Sequence, residues 1–65
     1  MASLKGLFKK EKLSMKEMFE IRTDIERALN AAGFNVTGAG TSDGEADISV
    51  ERDGHTFVVD IRNLV

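Results

Sequence analysis

Between residues 14 and 33 the apolar positions recur with a helical period: Met15, Met18, Ile21, Ile25, Ala28, Leu29 and Ala32. At about 100° per residue they form one broad stripe, interrupted only by Arg22. Glu20, Thr23, Asp24, Arg27 and Asn30 fall on the other side, and Phe19 lies at the edge of the stripe. Both ends of this helix are marked. Ser14-Met15-Lys16-Glu17 has the capping-box spacing, in which the Ser14 hydroxyl accepts from the Glu17 amide and the Glu17 carboxylate reaches back. Leu13 and Met18 occupy the two positions of a hydrophobic staple. Gly33 follows the last periodic residue and can take the left-handed conformation that closes a helix, with Phe34 returning toward Leu29. The predicted helix spans 14–32, and its Met and Leu stripe reads as ordinary core.

After Gly33 the period changes to two. Phe34-Asn35-Val36-Thr37 alternates, Gly38-Ala39-Gly40 continues or bends the strand, and Thr41-Ser42-Asp43-Gly44 has turn chemistry. Gly38-Ala39-Gly40-Thr41 is rich in glycine, but it lies between two strands with no helix N-terminus to receive a phosphate, so it too reads as a turn. Ala46 to Glu51 and His55 to Arg62 alternate cleanly, and Asp53-Gly54 between them is a two-residue hairpin signal, because both residues tolerate positive φ. Such a hairpin pairs Val50 with Phe57, Ile48 with Val59 and Ala46 with Ile61. All six then share one face, whereas a slip of one residue would turn them to water. That face must take the helix stripe. The expected fold is α+β: one helix packed on one face of a three-stranded antiparallel sheet, in the order αβββ.

The same register sets the opposite face: Glu45 against Arg62, Asp47 against Asp60, Ser49 against Val58 and Glu51 against Thr56. Two aspartates directly opposed have Cβ atoms about 5 Å apart and repel. Arg62, on the diagonal, relieves part of this, and a divalent cation would relieve more. In the plainer reading the face is simply charged and solvated. His55, the single histidine, sits beside the turn and reads as a solvated residue rather than a catalytic one. No nucleophile–His–acid set is visible.

Composition narrows the function classes. The chain has 65 residues and no Cys, so disulfides and thiolate-held metals are excluded. A domain of this size buries only about 60% of its unfolded surface, which leaves its own core marginal. Hydrophobic content of 42% argues against wholesale disorder. No apolar run approaches the roughly 20 residues of a membrane span, and a cytoplasmic location is expected. Charge is divided along the chain. Residues 1–16 carry five Lys against one Glu, and residues 17–65 carry four Arg against ten acids. The expected organisation is a basic, flexible arm over 1–12 and a single domain over 13–65. Lys5, Lys9, Lys10 and Lys12 make the arm a candidate anion-binding element. A solvated tail, or an extra turn packed on the body, is the simpler account and is preferred to a membrane or nucleic-acid contact.

The succession of a helix ending in Gly-Phe, a strand, a Gly-rich turn, Ala46-Asp47 on a second strand and Asp60-Ile61-Arg62 on a third resembles the metal-binding core of PD-(D/E)xK nucleases, the Holliday-junction resolvases among them. The resemblance runs from about Asp24 to Asn63 and reaches the third strand of that core. It implies Asp47 and Asp60 as Mg²⁺ ligands, with Glu20 or Glu26 as the family's additional acid and Arg62 at its lysine position. Arg62 stands where the family has lysine and cannot readily release a proton. Ala46 stands where it has proline.

In a simple meander the third strand lies at the sheet edge and presents Phe57, Val58, Leu64 and Val65. Exposed edges normally carry protection or a partner. Helix packing through Phe19 and the methionines is a second route to a two-fold dimer. The expectation is a small intracellular protein-binding or accessory module, non-enzymatic and homodimeric. The alternatives are a reduced or inactive metal-dependent nuclease or nucleic-acid-binding relative, and a phage-type structural component.

Overall fold

A computed structural model describes residues 11–65. The chain forms helix α1 (Met15–Ala31) and three strands, β1 (Asn35–Ser42), β2 (Glu45–Arg52) and β3 (His55–Arg62), in one antiparallel sheet of order β1-β2-β3. This is the αβββ layout expected. Its helix is closed at both ends by the anticipated caps. The Ser14 hydroxyl accepts from the Glu17 amide at 3.3 Å, and the Ser14 amide donates to Glu17 Oε1 at 3.0 Å. That backbone donation, followed by the Ser14 hydroxyl, holds the Glu17 carboxyl below its ordinary value. At the other end Gly33 has φ +98°, and its amide donates to Asn30 O while the Phe34 amide donates to Leu29 O at 2.9 Å. Together these two bonds form the Schellman closure.

The β2–β3 hairpin has the predicted register at every pair, from Arg52 opposite His55 to Glu45 opposite Arg62. Asp53 (φ +55°) and Gly54 (φ +80°) both lie in the left-handed region, as a two-residue turn of this hand requires. The Gly54 amide also donates to Glu51 Oε2 at 3.0 Å.

β1 departs from expectation. Gly38-Ala39-Gly40 continues the strand, one of its two expected courses, and Thr41 and Ser42, read as turn, are strand as well; only Asp43 and Gly44 make the reversal. The register shifts between Val36, which faces Val50, and Gly38, which faces Ser49. Thr37 is therefore the extra residue of a bulge, and its hydroxyl donates to Ser49 O. A bulge reverses the parity of the strand. Val36 before it and Thr41 after it can thus both lie on the helix side, while Gly38 and Gly40 fall on the polar side. Isolated glycines are poor strand formers, but here β2 supplies every ladder partner, and that outweighs their entropy cost of roughly 0.5–1 kcal/mol each.

The core is small: Met18 from α1 and Ala46, Ile48 and Val50 from β2 are buried. α1 lies over β1 and β2. Arg22, the one interruption of the apolar stripe, donates to Thr41 Oγ1 at 2.6 Å and pairs through Nε with Glu26 Oε2 at 2.8 Å. Those last two atoms are buried and held by charge without good hydrogen-bond alignment. Arg22 thus turns one flank of the helix toward β1. On the helical wheel Ile21 and Ala28 occupy the opposite flank, toward β3, and both are exposed.

A junction at one end of the sheet holds the segments that flank the domain. Leu13 N donates to Asn63 Oδ1 at 2.7 Å, Gly44 N to Leu13 O at 2.9 Å and Asn63 N to Gly44 O at 2.9 Å. Met15 N, an orphan donor of the first helical turn, donates to Asp43 Oδ1 at 2.7 Å. The Lys12 stem lies so close to Gly44 that a Cβ there would come within 2.9 Å of it. Lys12, assigned to the arm from sequence, therefore packs on the domain. Lys5, Lys9 and Lys10 lie outside the described residues.

Candidate functional site

Two surfaces carry the residues singled out from sequence, one on each side of the sheet. On the polar side, Gly40, Asp47 and Asp60 form a row across β1, β2 and β3. They line a shallow cleft of about 230 Å³ together with Glu45 and Arg62. Asp47 and Asp60 stand directly opposite each other, as predicted. What the sequence did not reveal is the role of Gly40. A Cβ there would sit 3.3 Å from Asp47 Oδ1 and 3.4 Å from Oδ2. The Asp47 carboxylate therefore leans over the bare backbone of β1, away from β3. A missing side chain on the neighbouring strand gives the like-charged pair room to separate.

The helical acids do not join this row. Asp47 is exposed on one face of β2, and Ile48, on the other, is buried beneath α1. The sheet thus stands between the aspartates and the helix that carries Glu20 and Glu26. Glu26 is engaged with Arg22, and Glu20 is exposed. Among the described residues, no three His, Cys, Asp or Glu side chains converge as they would to hold a metal ion. Asp47 and Asp60 form no ion pair with Arg62; among the described residues the ion pairs are Arg22–Glu26, Arg27–Asp24 and Arg52–Asp53. His55 Nδ1 lies 3.1 Å from Asp53 O and is exposed at the turn.

The second surface is the β3 side of the apolar face, continuing onto the free edge. Phe57 is 49% exposed, Val58 68% and Leu64 84%; Val65 and Phe19 are also exposed. Phe57, opposite Val50, has two aromatic neighbours at the hairpin end: Phe34 edge-on at 6.4 Å and His55 at 6.5 Å, with the Arg52 guanidinium 4.9 Å above the Phe34 ring. Phe19 carries the Arg22 guanidinium 4.6 Å over its ring. All five residues proposed from sequence as an interface are therefore accessible, but they do not share one face: Phe57 is on the helix side of the sheet and Val58, opposite Ser49, on the polar side. No described helix is long and apolar enough to cross a membrane.

No protein-family model matches this chain, and neither a curated protein nor a solved structure matches it.

Proposed function

We propose that the chain is a small non-enzymatic binding module that acts as a homodimer. One observation carries this reading: among the described residues α1 packs chiefly on β1 and β2, so Phe57 on the inner face of β3 is half exposed and no described strand pairs with its outer edge. A fold of this size gains little from the four buried apolar side chains among its described residues, and association is a common remedy. Size-exclusion chromatography with light scattering tests it directly. The expected result is a mass of twice 7.1 kDa at micromolar concentration. A well-folded monomer there would remove the reading.

The cleft beside Asp47 and Asp60 favours one second reading, a divalent-cation site of the nuclease kind. Titration with Mn²⁺ followed by NMR should then broaden the Asp47 and Asp60 amides selectively. Uniform or absent broadening would end it.

A further inference from the structure

The two outer strands differ as pairing edges. β1 is interrupted by the Thr37 bulge, a feature that blunts an edge. β3 faces β2 without irregularity over its whole length. The direction of its backbone groups is fixed by the bond from Asn63 N to Gly44 O. In an antiparallel ladder these directions alternate, so the odd-numbered residues of β3 point at β2. The amides and carbonyls of Thr56, Val58, Asp60 and Arg62 then point outward. A second copy pairing antiparallel with this edge must match even positions with even ones. The two-fold axis therefore passes through a single residue.

Charge selects among the axes. An axis at Asp60 sets aspartate against aspartate, and one at Arg62 sets arginine against arginine, both unfavourable. An axis at Val58 opposes Asp60 to Thr56, and one at Val59 opposes Asp60 to Val58. Only an axis at Ile61 sets each Asp60 against the Arg62 of the other copy, twice over. It also places a cation beside the Asp47–Asp60 couple, with which no cation pairs among the described residues. Facing odd positions keep Phe57, Val59 and Ile61 of both copies on one continuous apolar face.

We propose that a second copy of this chain pairs antiparallel along β3, with the two-fold axis at Ile61 and reciprocal Asp60–Arg62 pairs, to make a six-stranded sheet. This rests on the homodimer reading and specifies its interface.

Two experiments on the full chain test the register. The axial residues form a non-hydrogen-bonded pair with Cα atoms about 4.5 Å apart, within disulfide reach. In a chain without cysteine, Ile61→Cys should oxidise to a covalent dimer about tenfold faster than Val59→Cys, whose Cα atoms would be further apart in this register. Equal rates, or a faster Val59→Cys, would overturn it. Independently, Asp60→Arg should weaken dimerisation roughly tenfold, and the double exchange Asp60→Arg with Arg62→Asp should restore it. Within one chain Asp60→Arg faces Asp47, so it relieves repulsion and a loss of dimer cannot be ascribed to unfolding. A dimer indifferent to Asp60→Arg removes this register and keeps the homodimer; a monomeric parent chain removes both.

Discussion

β2 and β3 have the same length and the same alternation of apolar and polar side chains, and they face each other across one regular ladder. Their fates differ. Ile48 is fully buried and Val50 nearly so, whereas Phe57, opposite Val50, is half exposed. The cause is the position of α1. A helix about 10 Å wide spans roughly two strands spaced 4.8 Å apart, and Arg22 fixes this one toward β1 through Thr41. Alternation shows which face of a strand is apolar. It does not show whether anything covers that face.

The contrast predicts unequal costs for equivalent truncations. Ile48→Ala should cost about 2–5 kcal/mol, enough to unfold most of a domain this small, as read by urea denaturation followed by circular dichroism. Val59→Ala, directly opposite and half-buried, should cost about 1 kcal/mol. Equal losses would mean that β3 is covered as well as β2. On the polar side the effect is smaller and reversed in sign. Asp47→Asn should stabilise by a few tenths of a kcal/mol, because one of two facing charges is removed. The gain should shrink with added salt, since both groups are exposed. Destabilisation would instead assign the Asp47 carboxylate a favourable partner.

Much of the architecture is legible in the residues. The Ser14–Glu17 box, Gly33 and the Asp53-Gly54 step are local devices whose geometry is fixed within a few residues, and all three behave as read. The facing of Asp47 and Asp60 follows from the turn alone. The β1 segment is less legible. Gly38-Ala39-Gly40-Thr41 has turn composition, and nothing local marks the bulge at Thr37; the β2 ladder converts it to strand. Nor does sequence show that Asn63 binds Leu13, just before α1, and Asp43 binds Met15, its first residue. These contacts join residues 50 and 28 positions apart, beyond any local pattern. Gly40 is the most instructive omission. Its consequence for Asp47 requires knowing which residue stands beside which across β1 and β2, and the bulge shifts that pairing by one.

The sequence by itself determines the elements, their order and the inward or outward side of each position in β2 and β3, because capping, φ preference and a period of 2 or 3.6 act over short range. Tertiary structure alone decides where the helix comes to rest. The hydrogen bond from Arg22 to the Thr41 hydroxyl draws α1 toward β1, leaving Phe57 on the inner face of β3 half exposed.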